Sequence, residues 1–248
     1  MQLLEIYKNM NKYEITNKIE KFAPLSSAES WDASGWIVDN KACDEVSKIM
    51  LCLTPTLDVV QQAIRQGCEM IVSHHPMFYI PCKEPIVKDF KPQINMYCAH
   101  TNMDKANGGT TDTIIKTLGL SEYRINIEHE FLRFVEFPSE ISVSEFSKIL
   151  VKISPYARLI NNRHAEKLKR IAFCAGSGSE FIKDAKGLGA DCLVTGDLKF
   201  HVALDSEIVV YDIGHFESEI LILPIFSSII GKDVEIVYAK EQSPFEMI

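Results

Sequence analysis

The sequence predicts an α/β fold with two lobes and internally duplicated halves. Strand-like and helix-like segments alternate along its 248 residues, which is typical of α/β proteins. A strand–helix–strand pattern also occurs twice, which favours a duplication. Apolar residues make up 46% of the chain, enough for a substantial core without disulfides.

In the first half of the chain, the pattern of apolar residues predicts a helix followed by strands that end at polar residues. Residues 13–22 place apolar side chains on one helical face and stop before Pro24. Thr56 is predicted to cap the next helix and Gly67 to end it. A further helix follows Gly109. The predicted buried strands of this half are residues 48–53, 69–73 and 94–99.

In the middle of the chain, the residue pattern predicts an α+β segment. Residues 131–137 alternate like a strand, and Ser142 with Glu145 has the spacing of a capping box before an amphipathic helix. The predicted organisation is a first lobe at residues 1–120, this middle segment at residues 121–168 and a second lobe at residues 169–248.

An internal repeat relates the two predicted lobes. Residues 48–75 align without gaps onto residues 170–197, at an offset of 122 positions. Any two strand–helix–strand units look broadly alike, which is the alternative to duplication. Each half also has a further strand that leads to a histidine with an acid four residues later, and this favours duplication. These two pairs are His100 with Asp104, and His215 with Glu219.

Charge and cysteine usage exclude some classes of function. The formal net charge of −8 and the pI of about 5.4 disfavour a nucleic acid as the partner, because phosphate contacts need a basic surface. The longest apolar run, residues 220–230, contains Pro224 and is too short to cross a bilayer. The seven cysteines are scattered singly. Reduced, buried thiols predict a cytoplasmic protein.

His74 and His75 directly follow a predicted buried strand. Successive side chains of a strand point to opposite sides, so the two imidazoles are expected to serve two neighbouring metal ions rather than one. The alternative is a pair of ordinary loop histidines.

His215 and Glu219 lie four residues apart in a predicted helix and therefore share a face. The alternative is an ordinary surface pair, worth only ~0.3 kcal/mol. Asp104 follows a strand in a loop rich in Gly and Asn, where functional groups are common, although it could also be a turn or cap residue.

These residues together favour a metal site. Four of the seven histidines come just after predicted strand ends, where open α/β sheets bind their ligands. Imidazole and carboxylate donors without thiolate suit Zn, Mn, Fe or Co. The set is larger than one catalytic zinc needs, so two divalent ions, bridged by Glu219 or by a water, are predicted.

Five segments carry a resemblance to a known family: WDASGW, SHHP, AHTNMD with the following GG, ADCLVTGD and DIGHFESE. They resemble motifs of the GTP cyclohydrolase 1 type 2 family, also called the Nif-three-like family. The resemblance implies an αββα-type two-lobed fold, often assembled as a toroidal hexamer, with a dinuclear metal centre and GTP ring opening as the activity in the family name. The metal ligands that the resemblance implies are His74, His75, Asp104, His215 and Glu219.

The chain departs from the family pattern at two places. Thr54 follows the first strand where family members usually have Asp, and GGTTD replaces the commoner GG-x-ND. Both differences could alter substrate contacts while leaving the metal ligands intact.

Other residues near these motifs have two interpretations each. The repeat makes His100 a ligand or an acid–base group, whereas the resemblance places it beside the ligands; we predict a catalytic proton-transfer role. His201 could line the same site, but an ordinary surface or core histidine is favoured. The segment Gly176-Ser177-Gly178 could wrap a phosphate, but a tight turn is favoured. Trp31 and Trp36 are predicted as core or interface residues rather than substrate stackers.

The predicted function is a metal-dependent hydrolase that acts on a small molecule, a nucleotide or a related heterocycle. The alternative is a non-catalytic metal-binding module that recruits partners in a regulatory role. In either case a homo-oligomer is expected, with a hexamer implied by the resemblance.

Overall fold

The structure, a computed structural model, describes residues 8–77 and 94–246. Helices and strands alternate along the described chain, and the predicted α/β class is confirmed. The strands are β1 (Met10–Asn11), β2 (Gly35–Val38), β3 (Glu45–Val46), β4 (Lys48–Cys52), β5 (Met70–Ser73), β6 (Asn95–Cys98), β7 (Arg124–Ile125), β8 (Arg133–Ser142), β9 (Arg158–Ile160), β10 (Lys167–Phe173), β11 (Cys192–Thr195), β12 (Val209–Asp212) and β13 (Glu235–Tyr238). The helices are α1 (Lys12–Phe22), α2 (Leu57–Arg65), α3 (Thr101–Lys105), α4 (Thr110–Leu118), α5 (Val143–Leu150), α6 (Ile182–Gly187), α7 (Phe200–Leu204), α8 (His215–Glu219) and α9 (Leu223–Ile230).

The chain divides into two compact units. Unit 1 comprises Met1–Ala106 and Ile222–Pro244, and unit 2 comprises Asn107–Leu221 and Phe245–Ile248. These boundaries differ from the predicted ones at residues 120 and 168. Helix α4 belongs to unit 2 because its apolar side chains lie in the core of that unit. Strand β13 belongs to unit 1 because it pairs with β4.

Unit 1 contains a five-stranded sheet in the order β13-β4-β5-β6-β2. Strands β13, β4, β5 and β6 are parallel, and β2 runs antiparallel at the edge. Helix α2 begins after Thr56, whose side chain accepts a hydrogen bond from the Val59 amide, as predicted. Most of the apolar run at residues 220–230 packs within unit 1, where α9 lies against α1 and buries Leu223, Phe226 and Ile230, whereas Leu221 packs against the core of unit 2.

Unit 2 contains a six-stranded sheet in the order β7-β8-β10-β11-β12-β9. Its central strands β10, β11 and β12 are parallel. Strand β8 starts at Arg133 and continues to Ser142, so it is longer than the predicted strand at residues 131–137. Ser142 then caps α5 together with Glu145 in the predicted capping box.

The predicted repeat is confirmed by strand register. Ile49 pairs with Met70 between β4 and β5, and Ile171 pairs with Cys192 between β10 and β11, each at the same offset of 122 positions. One acid has the same contact in both repeats. The Glu69 carboxylate accepts hydrogen bonds from the backbone amides that open β4, and Asp191 accepts them from the amides of Lys169 and Arg170 in β10.

Two findings bear on the other sequence-based predictions. Among the described residues, no helix is both long and apolar enough to span a membrane. Six of the cysteines lie in the described chain as free thiols, and five of these are buried.

Candidate metal centre

Three imidazoles cluster at the carboxyl ends of β5 and β6 in unit 1. The ring centroids of His74, His75 and His100 lie 5.1 to 5.5 Å apart. Each ring offers a nitrogen, and these nitrogens all lie within 4.8 Å of one another. The prediction that His74 and His75 point to opposite sides was therefore wrong. Strand β5 ends at Ser73, and the chain bends at both histidines, so the alternation of a strand no longer applies.

The backbone around the two adjacent histidines is held by hydrogen bonds to the end of β4. The His74 amide donates to the Cys52 carbonyl at 3.2 Å, and the His75 amide donates to the Leu53 carbonyl at 2.8 Å. The Ser73 hydroxyl donates to the His75 carbonyl at 2.7 Å. The bend therefore has a fixed geometry that brings two consecutive rings to one side.

Nδ1 of each imidazole in this cluster contacts a protein oxygen. His74 Nδ1 lies 3.0 Å from the Ala99 carbonyl. Because a carbonyl only accepts, Nδ1 carries the hydrogen, and Nε2 is the nitrogen that can bind a metal. That Nε2 lies 3.5 Å from Oδ1 of Asp104 in α3. The Asp104 carboxylate therefore lies beside the imidazole cluster of unit 1.

Asp32 orients His100, and the sequence interpretation did not assign it a role. Its Oδ1 lies 2.9 Å from His100 Nδ1, and its Oδ2 accepts hydrogen bonds from the amide and hydroxyl of Thr101. Burial opposes ionisation of this carboxyl, but hydrogen bonds from His100 and from two hydroxyl groups outweigh it and hold the pKa of Asp32 well below its usual range. An ionised Asp32 keeps the His100 ring in one orientation. The WDASGW motif was the available signal.

Thr54 has the corresponding role for His75. Its hydroxyl lies 2.7 Å from His75 Nδ1. The backbone amides of Leu53 and Thr54 in turn donate to the carboxylate of Glu241, at 2.7 and 2.9 Å. Thr54, which replaces the usual Asp of the family pattern, therefore contacts the candidate ligand His75 directly.

The second departure, GGTTD, faces inward. Thr111 is buried, and its hydroxyl accepts a hydrogen bond from the Ala175 amide at 3.1 Å. Asp112 binds the guanidinium groups of Arg124 and Arg133. Both side chains thus have structural partners within unit 2.

Unit 2 supplies a second pair of candidate ligands on α8. His215 is the first residue of this helix, and its Nε2 lies 2.8 Å from Oε2 of Glu219. Glu219 is buried, so the alternative of an ordinary surface pair does not hold. His215 Nδ1 lies 2.6 Å from Oδ2 of Asp197. Burial opposes protonation of the His215 ring, but the hydrogen bonds to Asp197 and Glu219 outweigh it and raise the pKa of His215 to about 11.

Asp197 was not singled out from the sequence, although it ends the quoted motif ADCLVTGD. Its backbone has a φ of 51°, in the left-handed region that non-glycine residues rarely adopt. The next amide, that of Leu198, donates to the carboxylate of Asp212, which also accepts from the Gly214 amide. Asp212 therefore fixes both the loop that presents Asp197 and the start of the helix that presents His215.

Glycine at position 176 leaves room for Glu219. A methyl group added at Gly176 would overlap Oε1 of Glu219, and the φ of this glycine is 58°. Its amide donates to Ser218, and the Gly178 amide donates to the Thr195 hydroxyl at 2.9 Å. Because both glycine amides have protein partners, this segment is a tight turn that packs against the candidate ligands rather than a phosphate loop.

The remaining histidines of the described chain have other surroundings. His129 Nδ1 accepts hydrogen bonds from the amides of Phe131 and Leu132. His201 is exposed on α7, beside the Phe200 ring. Among the described residues, each unit has an imidazole beside a carboxylate, namely His74 with Asp104 and His215 with Glu219, and these donor types suit a divalent transition metal.

The chain is thus an α/β protein in which loops at the ends of parallel strands bring together imidazoles and carboxylates that could hold a metal ion. The chain is a member of the Duf34/NIF3 (NGG1p interacting factor 3) family, whose pattern matches residues 10–244.

Curated relatives share most of the chain's length. A GTP cyclohydrolase 1 type 2 homolog of Clostridium perfringens is 34% identical, and the match covers 96% of this chain and 100% of the relative. A homolog of the same name from Clostridium acetobutylicum is 31% identical over 83% of this chain and 84% of the relative. The NGG1-interacting factor 3 of Saccharomyces cerevisiae is 28% identical over 77% of this chain and 79% of the relative.

Solved structures confirm the Nif-three-like fold. Reduced HcgD from Methanocaldococcus jannaschii has a TM-score of 0.82 and 26% sequence identity, covering 95% of this chain and 100% of that chain. A Bacillus cereus protein related to NIF3 has a TM-score of 0.82 at 19% identity, covering 97% and 100%. The second likeness concerns the fold alone.

Proposed function

We propose that this chain is a dinuclear metal protein that hydrolyses a nucleotide or a related heterocycle. The observation that supports the proposal is the same in both units. In each unit, an imidazole has its Nδ1 held by a protein oxygen and its Nε2 close to a carboxylate. These carboxylates are Asp104 beside His74 and Glu219 beside His215. The names of the bacterial relatives support the choice of substrate class. The proposed metal ligands are His74, His75, Asp104, His215 and Glu219, with His100 as the proton-transfer residue.

Two divalent ions of Zn, Mn, Fe or Co would supply Lewis acidity and a water of lowered pKa. The chain's own residues orient the donors and move protons. His100 can take up a proton at Nε2 while Asp32 stabilises the resulting imidazolium through Nδ1. Asp197 holds the ring of His215, so that its Nε2 faces Glu219. Removal of a residue that orients a metal ligand, as Asp197 orients His215, typically lowers metal affinity or activity by about 10- to 100-fold.

Metal analysis combined with a substrate panel tests this proposal. We expect purified protein to take up close to two transition-metal ions per chain, and the loaded protein to turn over at least one member of a purine and pyrimidine nucleotide panel. Failure to take up Zn²⁺ or Mn²⁺ on titration would exclude the metal centre. Full loading without turnover of any nucleotide would exclude this reaction class and leave the metal centre standing.

The second candidate is a metal-binding module that recruits a partner protein. It is favoured by the name of the yeast relative, which describes that protein as a factor that interacts with NGG1. In this case metal loading would be retained, turnover would be absent and a defined protein partner would bind at micromolar concentration or tighter. The substrate panel above separates the two candidates.

We also propose that the chain works as a homo-oligomer in the cytoplasm. The resemblance implies a hexamer, and closed symmetric assemblies are the rule among soluble homo-oligomers. The buried free thiols of the described chain are compatible with a reducing compartment.

A further inference from the structure

Trp31 is the more exposed of the two tryptophans. It is 60% exposed, although a Trp side chain is large and apolar. Its ring lies 6.5 Å from the His100 ring, with 79° between the two planes. Trp36 packs instead between Tyr13 and Tyr97, with centroid distances of 5.6 and 5.4 Å. Of the two predicted roles, core or interface residue, the core role is therefore wrong for Trp31, and the interface role stays a prediction.

The backbone on both sides of Trp31 is anchored to α3. On one side, the Glu29 amide donates to the Thr101 hydroxyl at 2.9 Å, and the Glu29 carboxylate lies 2.7 Å from Lys105 Nζ. On the other side, Asp32 binds Thr101 and His100. The Asp32 amide also donates to the Glu29 carbonyl, which closes a turn with Trp31 inside it. A fixed turn thus presents an exposed indole.

A large apolar ring on a fixed turn is poorly explained by stability alone. Exposure forfeits the hydrophobic free energy that burial of an indole would contribute. Anchoring of the turn reduces the entropy that a ligand must remove when it binds. The same Asp32 that ends this turn also holds the ring of His100. The indole and the proposed proton-transfer residue, His100, are therefore held in place by the same residue, Asp32.

We propose that Trp31 is the stacking platform for the planar heterocycle of the substrate. This inference rests on the proposed function and specifies its substrate class as an aromatic nitrogen heterocycle, such as a purine base. Every nucleobase has a flat π face, so stacking contributes affinity without choosing among bases. The neighbouring His100 ring stands almost perpendicular to the indole, so its plane would also be nearly perpendicular to that of a base stacked on the indole.

The two tryptophans make the test direct, because one is exposed and the other is packed. The Trp36→Phe variant leaves Trp31 as the sole tryptophan, and the Trp31→Phe variant leaves Trp36. Both metal-loaded proteins are titrated with GTP, guanosine and inorganic tripolyphosphate while indole fluorescence is followed. We expect saturable quenching by GTP and guanosine in the Trp31-only protein, and no quenching by tripolyphosphate. The Trp36-only protein should show none of these changes.

Affinity measured by calorimetry gives the second readout. Trp31→Ala should weaken guanosine binding at least about fivefold, the loss expected from one stacked base, whereas Trp31→Phe should retain most of the affinity. Tyr156→Ala is the control, because Tyr156 is 59% exposed in unit 2. Unchanged guanosine affinity in Trp31→Ala, or quenching by tripolyphosphate alone, would overturn the inference. Metal content is measured on every variant, so a failure of stacking with two ions bound is distinguishable from a failure of the metal centre.

Discussion

At the scale of single residues, four candidate site histidines share one feature: Nδ1 contacts a protein oxygen. The contacts differ in kind, being a carbonyl for His74, a hydroxyl for His75 and carboxylates for His100 and His215. An imidazole held in this way does not have to lose rotational freedom when a metal binds at Nε2. The site is therefore organised by its surroundings before any ion is bound.

Glu219 provides the sharpest test at this scale. Glu219→Gln keeps the size of the side chain and removes its charge, and Gln cannot bridge two ions as a carboxylate can. We expect the variant to bind both ions more weakly, by about 10- to 100-fold, and to lose hydrolytic turnover. Elemental analysis and metal titration monitor the first effect, and the nucleotide assay monitors the second.

Glu217→Gln is the matched control for that variant, because it removes the same charge from the same helix. Its metal content and turnover should remain close to those of the wild type. If Glu219→Gln binds two ions with unchanged affinity, Glu219 is not the bridging ligand, and the assignment of the five ligands has to be revised.

At the scale of elements, the two repeats share strand register but differ after the third strand. Asn95 in β6 and Val209 in β12 pair with equivalent positions of the preceding strands. Counting onward from these residues, His100 matches Gly214 rather than His215. His100 precedes its helix, whereas His215 is the first residue of its helix. The predicted equivalence of His100 and His215 is thus shifted by one residue, which is compatible with a separate role for His100.

The segment after β13 stabilises the loop that presents Thr54. Glu241 accepts two backbone amide hydrogen bonds there, and Gln can offer only one carbonyl oxygen to the same pair of donors. We therefore expect Glu241→Gln to lower the free energy of unfolding by about 1–3 kcal/mol. We also expect weaker metal binding, because Thr54 orients His75. Urea unfolding and metal titration measure the two effects.

Glu246 offers the control for this variant, since it is an exposed acid near the C-terminus. Glu246→Gln should unfold at the wild-type urea concentration and bind metal normally. Wild-type stability in Glu241→Gln would show that the two amide contacts do not contribute to folding.

At the scale of the whole molecule, the chain leaves unit 1 after residue 106 and returns to it at residue 222. The returning segment supplies both α9, which packs on α1, and β13, which extends the sheet beside β4. The part of the apolar run from residue 222 onward thereby contributes Leu223, Phe226 and Ile230 to the core of unit 1. A subunit contact is better sought among exposed apolar side chains, and two of these lie on α7, where Phe200 is 73% and Leu204 is 62% exposed.

Assembly is tested by light scattering at micromolar concentration. We expect a mass near six times the 28.1 kDa of one chain. Replacement of Phe200 and Leu204 together by Asp should reduce that mass, because charge is strongly disfavoured in an apolar contact. A monomer as the only species of the wild-type protein would contradict the proposed hexamer. A hexamer unchanged by the double substitution would exclude α7 as the contact.

The sequence by itself determined the fold class, the repeat and the residues now proposed as ligands. Helical and strand periodicity, caps such as Thr56 and Ser142, and compact motifs such as SHHP and DIGHFESE all act over a few positions. Local patterns of this kind are visible in one chain because the physical interactions behind them are also local.

Only the tertiary structure decided which residues hold those side chains in place and how the chain divides. Asp32 reaches His100 across 68 positions, and Glu241 reaches the Leu53 amide across 188. The pairing of β13 with β4 and the exposure of Trp31 likewise depend on contacts between distant segments. Such partners are chosen by packing in three dimensions, and no periodicity along the chain encodes the choice.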